Sequence, residues 1–493
     1  MFNGLYQLAS IQVLALMFLG SLIGVLFGFL PGLGGTIGIA ILIPFVFGMP
    51  INMSMALLLG MHTSVMFGGA ISAILFNVPG TSQNIATCFD GYPMTQNGRA
   101  AEAIGIAGTA SLVGGVFGSF VLAISLPIIR PFIMVFGPPE YFMLTIFGLS
   151  IIALLTAGTI LKGLIAGGLG LLISFIGLDY ITGTARYTFG HLVLWDGINF
   201  IPVAIGLFAI SQMIDLYLEG GSIAKKNNPL DRSTFKEGIR VAFSKTGLML
   251  RGSAIGSLIG IIPGVGGMVA NILAYIHALH TSKEPETFGK GNPEGIVGAE
   301  AANNAKEGGA LIPTLAFGIP GSEGMAVLLG ALIMIGIVPG PEMITEHIDI
   351  VFMLVFIIVI GNVFAAAIGF VLASKLQKIT MIPAKQLIPI ILVICFIGSF
   401  VTNGRFSDVV IAFIFAVLGF YMDKYKYSKS AFIIALVLGT FFERYYHISA
   451  RLYGPFFILK RPISLVLLIM ILISIAIPFI RIKENKNRMA GLL

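Results

Sequence analysis

Two stretches far apart in this chain carry the same sixteen-residue pattern. The first reads GSLIGVLFGFLPGLGG, from Gly20 to Gly35, and the second GSAIGSLIGIIPGVGG, from Gly252 to Gly267. The offset is a constant 232 residues, and ten of the sixteen positions are identical. In each copy a ladder of glycines at spacing four runs through apolar sequence into a Pro-Gly break. The spacing predicts a helix that lets a neighbour approach closely along its glycine face. The break then ends the regular helix, because proline removes a backbone donor and glycine weakens helix. A fold for this chain has to place two such broken helices, and matched breaks in two halves point to a transporter binding site.

The surroundings of both copies fix the solvent. Hydrophobic residues make up 57% of the 493 positions and charged residues only 10%, where a soluble domain carries about 25% charged. Apolar runs recur along the whole length, and each membrane crossing needs about 20 mainly apolar residues. The expectation is an all-α polytopic membrane protein. It would have two pseudo-symmetric repeats and roughly 10–14 transmembrane segments by that length criterion, some broken or re-entrant. Long continuous apolar runs exclude a barrel, whose strands alternate. The first apolar run, near Ile11–Phe29, lacks a basic flank and a cleavage site and reads as a retained helix.

The net charge of +7 sits mostly in loops. It fits the positive-inside rule better than nucleic-acid binding. The stretch from Glu219 to Arg251 holds seven basic residues against three acids and separates the two copies. The organisation read from this is a first half over 1–218, a cytoplasmic basic linker over 219–246, a second half over 247–480 and a cytoplasmic basic tail over 481–493. The cluster Lys424, Lys426 and Lys429 also reads as cytoplasmic. Glu443–Arg461 does not alternate cleanly and suggests an external or partly re-entrant segment. Such a protein sits in a membrane, in contact with lipid.

The candidate substrate site starts at the breaks. Freed backbone at membrane depth must be buried or line a polar cavity, and a half-helix start beyond it presents N–H groups to an anion. This singles out Pro31, Gly32, Gly34, Gly35 and Thr36, and on the other side Pro263, Gly264, Gly266 and Gly267. A second matched pair is Phe76-Asn77-Val78-Pro79-Gly80-Thr81-Ser82 and Phe317-Gly318-Ile319-Pro320-Gly321-Ser322. There Asn77, Pro79, Gly80, Thr81, Ser82, Pro320, Gly321 and Ser322 offer backbone and hydroxyl groups to a carboxylate without a buried Lys or Arg. The glycines of the ladders themselves read as packing positions.

Ionisable residues within membrane sequence usually mark function. Asp90, Glu300, Asn303 and Asn304, next to unwound backbone, would supply oxygen ligands to a coupling Na⁺; alternatively Asp90 and Glu300 would carry a proton. Na⁺ is the only metal ion suggested. Glu323, if it faces the site, repels a dianion unless it is protonated or cation-paired. His62 inside an apolar run offers a relay, although such a histidine more often hydrogen-bonds a neighbouring helix. Cys88 and Cys395 form no disulfide framework, and no Cys/His spacing suggests a metal centre.

Enzyme signatures are missing from the sequence. No glycine loop ends in Gly-Lys-Ser/Thr. Gly32-Leu33-Gly34 lacks the third glycine of a dinucleotide fingerprint, since Ile37 stands there. Neither a Gly-x-Ser-x-Gly elbow nor a His-Glu-x-x-His pair occurs. The expectation is a carrier without a cofactor, with a passive channel as the alternative, since re-entrant segments also build selectivity filters.

The runs GFLPGLGGTIGIAILIPF (28–45), FNVPGTSQNIATCFDGYPM (76–94) and EGIVGAEAANNAKEGGALIPTLAFGIPGS (294–322) resemble the large membrane subunit of tripartite tricarboxylate transporters. FGPPEY (136–141) and the late ER…KRPIS pattern (443–464) are similar too. The resemblance implies a permease that works with a small membrane subunit and an extracytoplasmic substrate-binding protein. It implies uptake of a di- or tricarboxylate, driven by an ion gradient, commonly Na⁺. Matching positions here are Pro31–Thr36, Asn77–Ser82, Asp90–Pro93, Pro263–Gly267, Glu300–Asn304 and Ile319–Ser322. Ser82 stands where the family commonly has proline, Glu323 where a small residue is usual, and Tyr445-Tyr446-His447 in place of Leu-Arg-Gln. A stand-alone carrier of another organic anion or of an amino acid therefore stays open.

Overall fold

A computed structural model describes the chain except for Met1, Pro31, 156–159, Tyr180, 220–233, 380–383 and 474–493. The described residues are helical almost throughout. Their strand content is one two-residue hairpin, Gly177–Leu178 with Ala185–Arg186. Seven helices are long and apolar enough to cross a membrane, and six shorter apolar helices of 10–17 residues accompany them. Large apolar side chains such as Phe120, Ile124, Ile128 and Phe132 remain exposed along the Ala100–Val135 helix. Such faces are soluble only in lipid. The chain is an all-α polytopic membrane protein.

Two helix pairs form the interior. In the first, Ser10 caps the Ile11–Phe29 helix by accepting from the Val13 N–H at 3.2 Å. Leu30 turns extended, Gly32 (φ 86°) and Gly34 (φ 29°) take left-handed or related conformations, and a new helix runs Gly35–Val46. The second copy repeats this. Thr246–Ile261 ends in extended Ile262, Gly264 (φ 77°) and Gly266 (φ 75°) make the break, and Gly266–Thr281 follows. Positive φ is what only glycine adopts without strain.

Each broken helix lies against a long unbroken one. Methyl groups on Gly20, Gly24 and Gly28 would strike the carbonyls of Leu57, Met61 and Val65 in the Ile51–Phe76 helix. Those on Gly252, Gly256 and Gly260 would strike the carbonyls of Gly298, Ala302 and Lys306 in the Pro293–Phe317 helix. The partner positions are again separated by one constant offset, now 241 residues. Both long helices also end alike, in left-handed Asn77 (φ 59°) and Gly318 (φ 68°). The ladders thus serve backbone-to-backbone packing, as small residues do between helices in lipid.

One expectation changes. Glu300, Asn303 and Asn304 do not stand next to unwound backbone: from Pro293 onward the chain is a continuous helix, buried from Gly295 to Ala316. Asn292 caps it, accepting from the Glu294 N–H at 2.8 Å, and Pro293 occupies the first turn, where its missing N–H costs nothing. Most of its polar side chains find partners inside the protein: Lys306 meets Glu307, Glu307 meets His62, Glu300 meets Thr87, Asn84 and Ser111, and Asn304 meets Asn362. Glu443–Tyr453 forms the end of the Lys429–Tyr453 helix. Residues 220–233 of the linker and all of the tail lie outside the described residues; the linker's later part forms the Phe235–Ser244 helix.

Candidate functional site

The two breaks and the two Pro-Gly turns meet around one cavity of about 650 Å³. From the first break it is lined by Gly32, Gly34, Gly35 and Thr36, and from the second by Gly264, Gly266 and Gly267. The first turn contributes Pro79, Gly80, Thr81 and Ser82, and the second Ser322. Asn77, Pro263, Pro320 and Gly321 do not line it, and Pro31 lies outside the described residues. Gly321 acts from behind: its carbonyl accepts the Gly264 N–H at 3.2 Å and ties turn to break. In the first half, the Gly80 N–H donates to the Gly69 carbonyl at 3.3 Å.

The arrangement is crossed. The Gly35–Val46 helix packs on the Glu323–Met334 helix that leaves the second turn. The Gly266–Thr281 helix packs on the short Ser82–Asn84 turn that follows the first. Gly267 has no room for a methyl group because the Gln83 side chain lies against it. Two helix starts therefore face one cavity. The first N–H groups of each helix have no intrahelical acceptor and carry the positive end of the helix dipole. With the hydroxyls of Thr36, Ser82 and Ser322 they make a surface suited to anions.

Charged residues also line the cavity. Asp423 and Lys429 form an ion pair, Lys429 Nζ also donates to Ser211 Oγ at 2.7 Å, and Ser430 Oγ donates to Glu323. Glu323, Asp423 and Lys429 all line the cavity, as does His62. Lys429 was not legible as a site residue, because its cluster of lysines reads as an ordinary basic loop.

The oxygen-rich residues expected to hold a coupling ion fall in two places. Glu300, fully buried, gathers donors from three elements: Thr87 Oγ1, Asn84 Nδ2 at 3.1 Å and Ser111 Oγ at 3.1 Å. Asn84 Oδ1 in turn accepts from Thr81 Oγ1 at 2.7 Å, which links the cluster to the cavity wall. Asn303 approaches Glu300, but its buried amide meets hydrogen-bond geometry with no partner among the described residues. Asn304 Nδ2 donates to Asn362 Oδ1 at 2.5 Å. Asp90 lies apart, inside the Ile85–Gln96 helix. Its carboxylate accepts from Tyr275 Oη at 2.9 Å and from the N–H groups of Gly291 and Asn292 at 2.9 and 2.8 Å. Those bonds fasten the loop that starts the Pro293–Phe317 helix.

Outside the cavity, Asp179, Glu443 and His447 lie close enough to share an ion. Arg186 already occupies the cluster, 3.1 Å from Asp179 and 2.7 Å from Glu443.

Comparison with known proteins agrees with this architecture. The tripartite tricarboxylate transporter TctA family model matches residues 14–434. An uncharacterized 52.8 kDa protein in the TAR-I ttuC' 3' region of Agrobacterium vitis is 35% identical over 429 residues, covering 87% of this chain and 85% of its own length. An uncharacterized protein in the TAR-II ttuC' 3' region of the same organism is 33% identical over 190 residues, covering 38% of this chain and 78% of its own length. No solved structure matches the chain. The chain belongs to the tripartite tricarboxylate transporter TctA family.

Proposed function

We propose that this chain is the permease subunit of a tripartite system that takes up a di- or tricarboxylate or related organic anion. One observation carries the reading: two half-helix starts, the first Pro-Gly turn and Ser322 beside the second line one cavity of about 650 Å³. That size suits a small organic anion. The N–H groups and hydroxyls bind the carboxylates, and the two halves, 1–218 and 247–480, move as pseudo-symmetric bodies about the site. An ion gradient, Na⁺ or H⁺, drives uptake. Glu300 with Asn303 and Asn304 forms the coupling site, because Glu300 connects through Asn84 and Thr81 to the cavity wall. Asp90, whose bonds fasten the 291–292 backbone and do not lead to the cavity wall, supports the fold instead. A small membrane subunit and an extracytoplasmic binding protein complete the system in a prokaryotic cytoplasmic membrane, with the C-terminus cytoplasmic.

Glu323 and Asp423 on the cavity wall favour a second reading, a carrier for an amino acid whose ammonium group meets these carboxylates. A thermal-shift screen of the purified protein distinguishes the two. Citrate, malate and succinate are compared with glutamate and alanine, with and without Na⁺, since a bound ligand raises apparent stability. Stabilisation by the organic acids supports the first reading and by amino acids alone the second. A carrier further shows substrate counterflow in proteoliposomes, and its uptake stops when the ion gradient is dissipated. Uptake without counterflow would identify a channel.

A further inference from the structure

Three ionisable side chains meet in the interior beside the cavity. His62 is 2% exposed, and Lys306 and Glu307 are each 1% exposed. His62 Nε2 lies 3.0 Å from Glu307 Oε2, and Lys306 Nζ lies 2.6 Å from Glu307 Oε1. Buried charges of this kind cost several kcal/mol of desolvation (roughly, per ion) and in a membrane protein mark function.

The imidazole is placed with care. A methyl group on Gly35 would lie 2.8 Å from His62 Nδ1, and one on Gly324 would overlap His62 Cε1. Gly35 opens the half-helix after the first break, and Gly324 stands in the first turn after the second Pro-Gly turn. The ring thus fits between the two halves only because both positions are glycine. It lines the cavity, and its Nδ1 has no partner among the described residues. A carboxylate can only accept, so Nε2 donates its hydrogen to Glu307 and Nδ1 is the ring nitrogen left without a partner. Lys306 and Glu307 are opposite charges in contact and offset each other.

We propose that His62 takes up a proton at Nδ1 when a carboxylate anion occupies the cavity, so that one proton travels with the substrate. This rests on the carboxylate reading of the cavity. The proton comes from water on the side from which the anion enters. Nε2–H stays on Glu307, and the proton is released to water on the other side as the anion leaves.

The charges facing His62 favour this. From the Pro293–Phe317 helix come Glu307 and Lys306, which offset each other, and Glu300, whose carboxyl is engaged by Thr87, Asn84 and Ser111. Glu323 opens the Glu323–Met334 helix, and Asp423 and Lys429 stand across the same cavity. The Ile11–Phe29 and Gly35–Val46 helices carry no charge, and the 350–374 and 103–129 stretches packed on the Ile51–Phe76 helix carry none. Asp90, on the Ile85–Gln96 helix, is bonded to Tyr275 and the 291–292 backbone. Glu323 and an arriving anion put negative charge in the cavity that His62 lines, and a proton taken up at Nδ1 offsets the charge the anion brings.

Isothermal titration calorimetry of the purified full chain with citrate, malate and succinate tests this. Each titration is run at neutral pH in two buffers of different ionisation enthalpy. The expected result is buffer-dependent heat equal to about one proton taken up per anion. His62→Gln should bind with that uptake lost. Nitrogen NMR of histidine-labelled wild type gives a second readout that needs no variant: one resonance moves from the unprotonated to the protonated position on adding citrate. Binding without proton uptake overturns the proposal and leaves the cavity reading standing, as does full uptake in His62→Gln. Binding of none of the three anions overturns both.

Discussion

Gly256 stands over the carbonyl of Ala302 with no space for a methyl group between them. Gly24 stands over the carbonyl of Met61 in the same way. Gly256→Val and Gly24→Val therefore have to push two backbones apart inside a packed bundle. Overpacking of this kind costs roughly 1–3 kcal/mol or more. Both variants should lose folded protein, read as lower yield after size-exclusion chromatography and a lowered melting midpoint. A melting midpoint equal to that of the wild type would show that the two helices separate more easily than the contact implies.

Gly34 and Gly266 behave differently. Neither has any atom within 4 Å of where a Cβ would stand, and both have positive φ, 29° and 75°. Gly34→Val and Gly266→Val should cost about 1–2 kcal/mol of backbone strain, while the new side chain enters the cavity. Insertion and folding should largely persist as uptake in proteoliposomes is lost. Normal uptake by either variant would remove that break from the substrate site.

The contrast between Gly34 and Gly256 shows what the sequence discloses. Both copies of the pattern are visible as letters, and their spacing separates a helix face from a break. Nothing in the letters says that Gly35 and Gly324 meet around one imidazole, because that contact joins two halves through a third helix. Lys306 and Glu307 were hidden for a different reason. In a polar, alanine-rich stretch, charges read as loop, and only the tertiary structure shows that they neutralise each other inside a buried helix. Lys429 was hidden by its neighbours Lys424 and Lys426, which make a basic loop the simplest reading. Asp90 looked like Glu300 in sequence, since each is an acid near a Pro-Gly turn. Three donors engage each carboxylate, but only Glu300's reach the cavity wall.

Acid should weaken the loop that carries the short hairpin. The N–H groups of Thr182 and Ile181, at 2.7 and 2.9 Å, hold the Asp179 carboxyl down at about 2, helped by Arg186. The folded value lies below the ordinary value of about 3.9. Its contribution to stability is therefore complete above about pH 4 and lost as pH falls towards about 2. Asp179→Asn should melt lower than wild type at neutral pH, and the gap should close in acid. A gap independent of pH would mean that the carboxyl's charge plays no part.

Removing one member of the buried triad should harm the protein more than removing two. Glu307→Ala leaves Lys306 buried without its carboxylate, and breaking a buried pair in this way costs about 3–5 kcal/mol. The double variant Lys306→Met, Glu307→Met removes both charges while keeping apolar bulk. Replacing a buried pair by packed apolar groups is often neutral or stabilising, so the double variant should melt near the wild type and well above Glu307→Ala. Its binding of citrate should no longer be accompanied by full proton uptake, because the imidazolium has lost the carboxylate at Nε2. The two measurements separate stability from coupling: a stable double variant that retains full uptake would assign the triad to packing alone.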